Sequence, residues 1–207
     1  MRTVAEVLGM PSASVAWYDR MLQEAGLRSK SGRGSGAARL TARDAANLLT
    51  ALLASKQPKE AVDTVKLYAA TRPDRAQSSK KAFAGAGLGE TAKLPSDHSF
   101  IDALEALLLS GIEGDLATWI AEHSRGKRGR KPMPLFEVAA SMPGAVGDIR
   151  LAGILEGITA QVRYTTPGSQ IESGPSPDND DADLAQSRSV TARTIIRIAD
   201  LLAGRGD

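Results

Sequence analysis

The sequence predicts a mainly α chain with a small β component, and three observations carry that prediction. Of 207 residues, 42% are hydrophobic but only 4% aromatic, so the apolar surface is aliphatic and suited to helix faces. Several stretches repeat Ala, Leu, Ile and Val at three-and-four spacing, the period of a helix. Residues Ile158 to Thr165 instead concentrate β-branched and aromatic side chains, as strands do.

At the front, Thr3 is placed to cap a short helix over Val4 to Leu8, with Glu6 completing a capping box. Gly9, Met10 and Pro11 interrupt it. Ser12 or Ser14 can then cap a longer helix, Val15 to Ala25, with Val15, Tyr18, Met21, Leu22 and Ala25 on one face and Gly26 as its stop. Arg28 to Arg39 scatters basic residues among Gly and Ser without apolar periodicity and reads as a loop or hairpin. Thr41 caps the next helix, Ala42 to Ser55, where Asp44 sits in the first turn and Ala45, Leu48, Leu49, Leu52 and Leu53 form a stripe. A further helix is expected over Lys59 to Ala70, ended by Arg72-Pro73.

Residues 73–97 are rich in Ala, Gly, Ser and Lys and read as a linker. Ser99 to Leu109 and Asp115 to Glu122 read as helices around a corner at Gly111 to Gly114. Leu135 to Ser141 and Asp148 to Ala152 flank Pro143-Gly144 and, with Ile158 to Thr165, predict a small antiparallel sheet. The Pro, Gly, Ser and Asp of 166–186 suggest a mobile acidic loop. Ser189 or Thr191 caps a last helix through Ala203, with Ile195, Ile198, Ala199 and Leu202 on one side.

Charge is distributed unevenly. Residues 1–81 carry 14 basic and 7 acidic side chains, net +7, against −1 for 82–133 and −4 for 134–207. A basic front is the footprint expected where phosphates are neutralised. The absence of cysteine excludes disulfides, thiolate metal sites and a cysteine nucleophile. His98 and His123 stand alone, which argues against a metal site. No phosphate-binding lysine loop, no Gly-x-Ser-x-Gly and no paired histidine is present, so no catalytic residues and no cofactor are expected. Gly85 to Gly89 lacks dinucleotide-loop spacing, and Asp178 to Asp183 lacks the Gly and Glu of a calcium loop. No run approaches the roughly 18 apolar residues of a membrane span, so a cytoplasmic protein without a membrane partner is expected.

Short helix, tight turn, longer helix, Gly/Arg hairpin, helix is the order of a winged helix-turn-helix. In that layout Ser12, Ser14, Trp17, Tyr18 and Arg20 lie on the groove-facing helix, while Arg28, Lys30, Arg33 and Arg39 reach flanking phosphates or a minor groove. Tyr18 can equally pack in the core, and Trp17 can anchor a protein interface instead. A plain helical hairpin with a basic loop is the alternative for the whole region. Residues 3–55 resemble the DNA-binding domain of MerR-type regulators, with Trp17-Tyr18-Asp19-Arg20 at the place of a Tyr-Tyr-Glu-Arg-like tetrad. Ala13 and Ala16 stand where that family often has arginines, and Met21 to Ala25 lengthens the helix. A second element, Lys127 to Pro132, resembles an AT-hook core and adds Arg128 and Arg130 as candidate minor-groove contacts, with a solvated basic loop as the alternative.

These features predict a winged helix-turn-helix domain at 1–72, a linker at 73–97, and an α+β oligomerisation or partner-binding region at 98–207. The expected function is a bacterial transcriptional regulator, with a phage or mobile element as one source. It would bind double-stranded DNA as a homodimer, with any small-molecule effector left open. The alternative is an oligomeric DNA-packaging recognition subunit resembling a small terminase; a protein-interaction module without DNA binding is the third reading.

Overall fold

The computed structural model describes residues 3–29, 40–78, 83, 88–123, 135–142, 144–153, 157–168 and 186–205. In chain order these form α1 (Val4–Leu8), α2 (Ser12–Glu24), α3 (Ala42–Ala54), a 3-10 turn at Pro58–Glu60, α4 (Ala61–Ala69), β1 (Arg72–Pro73), α5 (Gly89–Ala92), α6 (Phe100–Glu113), α7 (Asp115–His123), β2 (Leu135–Met142), β3 (Val146–Gly153), β4 (Gly157–Thr165), β5 (Gln186–Thr191) and α8 (Ala192–Leu202). The architecture is mainly α with one small antiparallel sheet, ordered β1-β4-β3-β2-β5. Among the described residues no helix is long and apolar enough to cross a membrane.

Helix α3 is the axis of the molecule. Apart from Arg43, every residue from Ala42 to Ala54 is buried. Helices α2, α4 and α6 pack around it, and strands β2 and β5 cover the remaining side. The alanines Ala45, Ala46, Ala51 and Ala54 let neighbours approach closely, while Leu48, Leu49, Leu52 and Leu53 fill the space between them. Its buried polar groups are each bonded, as low-dielectric surroundings demand. Asp44 accepts from the Ser29 amide at 2.8 Å and the Thr41 amide at 3.1 Å, the Asn47 amide donates to the Leu27 carbonyl at 2.6 Å, and the Thr50 hydroxyl donates to the Ala46 carbonyl at 2.8 Å.

Helix α6 lies against α3 and α8. It starts at a capping box in which Asp102 accepts from the Ser99 amide at 2.8 Å and Ser99 accepts in return from the Asp102 amide at 3.2 Å. It runs through Gly111 because Ala199 of α8 sits so close that a Cβ there would lie 2.7 Å from the Ala199 Cβ. The helix ends instead at Gly114, with φ at 93°. Arg205 closes the α6 terminus, its guanidinium donating to the carbonyls of Ile112 at 3.1 Å and Gly111 at 3.3 Å.

The sheet turns Phe136, Val138 and Ala140, Ile149 and Leu151, and Ala160, Val162 and Tyr164 toward the helices. Alternation leaves Glu137, Asp148, Arg150 and Arg163 on the other face, where Glu137 and Arg150 pair at 3.3 Å. Tyr68 of α4 ties the β2–β3 hairpin to the helices. Its hydroxyl lies 2.9 Å from the carbonyls of both Ser141 and Val146 and accepts from the Ser141 amide at 3.1 Å. Residues 73–97, read from sequence as a linker, hold Pro73 paired with β4 and the buried side chains of Phe83 and Leu88. Buried residues on both sides of this segment belong to one hydrophobic cluster.

Within that cluster His98 is buried beside Tyr164. Its Nδ1 lies 2.6 Å from the Pro95 carbonyl, which can only accept, so Nδ1 carries the proton and Nε2 accepts from the Tyr164 hydroxyl at 2.8 Å. Burial depresses the imidazole pKa, against the opposing pull of the Pro95 carbonyl and the carboxylates of Asp102 and Asp97. The unfolded chain, with His near about 6.5, therefore binds this proton first as pH falls. Stability from neutral His98 is complete above that value and is lost as pH drops through the lower folded pKa. Urea unfolding at pH 7.5 and 5.5 should show a decrease that His98→Gln removes; an unchanged decrease would place the titration elsewhere.

Candidate nucleic-acid interface

The entry to α2 is set locally. Thr3 and Glu6 close the capping box of α1, the Thr3 amide donating at 2.7 Å and the Glu6 amide at 3.3 Å. Gly9 ends α1 with φ at 65°, a left-handed conformation that glycine adopts without steric cost. The Met10 amide folds back to the Ala5 carbonyl at 2.9 Å. Pro11, with φ at −57°, is the N-cap of α2, and its carbonyl accepts from the amides of Ser14 at 3.0 Å and Val15 at 3.2 Å.

This corrects the expectation that Ser12 or Ser14 caps the helix. Pro11 already holds the φ of a first turn, so the helix starts earlier and both serines fall inside it, Ser12 exposed and Ser14 half-buried. No side chain caps α2.

Val15, Tyr18 and Leu22 anchor α2 on one face. Tyr18 is buried, its hydroxyl directed at the Ser55 carbonyl at 3.4 Å, so of the two sequence readings its place is in the core. Burial raises its pKa, against the nearby Arg188, and the phenol stays neutral. The opposite face is open: Ala13, Ala16, Trp17, Arg20 and Glu24 are exposed. Trp17 is 60% exposed, the larger of two big apolar side chains left in solvent among the described residues, the other being Leu67 on α4.

Arg28 is committed within the fold. It forms an ion pair with Asp19 and donates to the Ser29 carbonyl at 2.8 Å. Asp19 also accepts from the Gln23 amide at 2.8 Å; burial raises its carboxyl pKa, with Arg28 and Gln23 opposing. Lys30, Arg33, Arg39, Arg128 and Arg130 lie outside the described residues, as does the stretch read as a wing.

The sequence reading omitted Arg193 and Arg197. They stand one turn apart on α8, which packs on α1, and neither forms an ion pair among the described residues. Their i, i+4 spacing on the polar side of Ile195, Ile198 and Ala199 is the signal that places them on a common stripe, Arg193 exposed and Arg197 half-buried. Among the described residues no group of three or more His, Asp or Glu is placed to hold a metal ion. Comparison with protein-family models, curated proteins and solved structures finds no match to this chain.

Proposed function

We propose that the chain is a sequence-specific DNA-binding transcriptional regulator that acts as a two-fold dimer on double-stranded DNA. The observation that carries this reading is the open face of α2, where a 60% exposed Trp17 and an exposed Arg20 stand on a helix fixed rigidly by its other side. An exposed tryptophan offers a large ring and an N–H donor to a partner, and an adjacent arginine selects a partner with acceptor groups. A helix of about 10–12 Å diameter fits a major groove about 12 Å wide. Small residues at its uncapped amino end allow close approach to phosphate, and the net charge of +7 over 1–81 supplies long-range attraction.

The test is retention of mixed genomic fragments by the purified chain at two salt concentrations, with the complex mass recorded. Enrichment of a palindromic site, weakening as salt rises, is the expected result. Arg20→Ala should weaken specific binding by about 1–3 kcal/mol, roughly 5- to 150-fold, and Trp17→Ala should change the preferred sequence. Arg33→Ala should weaken all fragments alike. No retention at low salt would remove the reading, and one locus bound by a ring would favour a DNA-packaging subunit.

A further inference from the structure

We propose that β5 is the edge along which two copies of this chain join, antiparallel and about a two-fold axis, into one continuous sheet. β5 is the last strand of the order β1-β4-β3-β2-β5, and among the described residues it pairs only with β2. Its outward amides and carbonyls are therefore available to another strand, and Gln186, Ser187, Arg188 and Ser189 are all exposed.

The two sheet edges are treated differently. Folds normally blunt an edge by shortening it or by adding Pro, a charged side chain or a bulge. At the far edge β1 is two residues long and includes Pro73. β5 has six residues without Pro, in unbroken register with β2 from Glu137↔Thr191 to Met142↔Gln186, and its single charge, Arg188, is taken up by carbonyls of its own protomer. The strand is also held ready. Arg188 reaches across to donate to the carbonyls of Leu52 at 2.9 Å and Ser55 at 3.0 Å, and Thr191 runs straight into α8. Little ordering entropy remains to oppose pairing.

A second copy fits because β5 is complementary to itself. With the axis at Ser189, Ser189 faces its own copy and Ser187 faces Thr191 of the other protomer, a ladder of hydroxyl pairs that favours association. Arg188 then lies opposite Val190 rather than a second Arg188, and β5 contains no carboxylate to repel its copy. The same patch serves both protomers, as a closed two-fold interface requires. This deepens the regulator reading, on which it rests only for the dimer's purpose, by naming the surface that would space two α2 helices.

The experiment is sedimentation equilibrium of the full chain without DNA, comparing wild type, Ser189→Lys, Ser189→Glu and an equimolar mixture of the two variants. Wild type should sediment at twice 21.7 kDa. Each variant alone sets like charges across the axis and should weaken the dimer by about tenfold or more, while the mixture restores it. Thermal unfolding by circular dichroism checks that the variants fold. Should either fail to, concentration-dependent protection of wild-type β5 amides from hydrogen exchange gives the same answer. A wild-type monomer, unprotected β5 amides, or a dimer indifferent to both charges would overturn the proposal. A dimer that binds no DNA would refute the regulator reading and leave β5 standing; a chain monomeric without DNA that pairs only on a palindromic site would do the reverse.

Discussion

Phe100→Ala should lower the unfolding free energy by about 3–5 kcal/mol, the cost of removing a fully buried aromatic side chain from a packed core. Phe100 is the first residue of α6 and has no exposed surface. Its ring lies 5.2 Å from that of Tyr68 and 5.6 Å from that of Tyr164, and its amide donates to Thr71 at 3.2 Å. It also fills the space over Gly147, where a Cβ would approach its ring to 2.3 Å. Gly147→Ala is therefore destabilising for the opposite reason, by about 1–3 kcal/mol or more of overpacking. Pairing Gly147→Ala with Phe100→Leu should cost less than the sum of the single changes, because the smaller side chain yields room to the new methyl. Urea unfolding of wild type, Phe100→Ala, Phe100→Leu, Gly147→Ala and the double variant checks both expectations. Costs that add within about 0.5 kcal/mol would mean that the ring and the glycine are not in contact.

The elements that were legible in the sequence are those with local instructions. Thr3, Thr41 and Ser99 each carry an acidic residue three positions on, and each heads a helix with a reciprocal capping box. Gly144 turns the chain between β2 and β3, with φ at 86°. What escaped is what tertiary contacts decide. The polar Asp44, Asn47 and Thr50 give α3 the pattern of a half-exposed helix, yet layers on every side bury it. Gly111 reads as a corner but is the point where α6 and α8 approach closely. Gln186-Ser-Arg-Ser-Val-Thr191 has one apolar residue, so nothing local marks it as a strand; pairing with β2 makes it one. In the candidate interface, the exposure of Trp17 and Arg20 follows from helix periodicity around Val15, Tyr18 and Leu22. Arg28 does not obey such a rule: the chain folds it back onto Asp19, a pairing set by the turn at Gly26.

Asp44→Ala should cost about 2–4 kcal/mol, since hydrogen bonds to a charged group contribute about 1.5–3 kcal/mol each and their loss strands buried amides. One carboxylate here serves two purposes. It caps α3 through the Thr41 amide at 3.1 Å, and it holds the Ser29 amide at 2.8 Å, fixing the chain where it leaves α2. Burial alone would raise its pKa, but the amides of Ser29 and Thr41 and the hydroxyls of both outweigh that and depress it. The same balance acts at Asp102, where burial is outweighed by Ser99 and Arg43. A depressed carboxyl pKa contributes stability that is complete above the unfolded value, near about 3.9, and is lost as pH falls through the folded one. Wild type should therefore lose stability steeply on the acid side, and Asp44→Ala should start lower but fall less, with Asp102 and His98 contributing to the remaining slope. Chemical unfolding from pH 6 to pH 3 measures both terms. An Asp44→Ala curve parallel to wild type would mean that this carboxylate titrates alike in the folded and unfolded chains and that its amide bonds do not hold the α2–α3 connection.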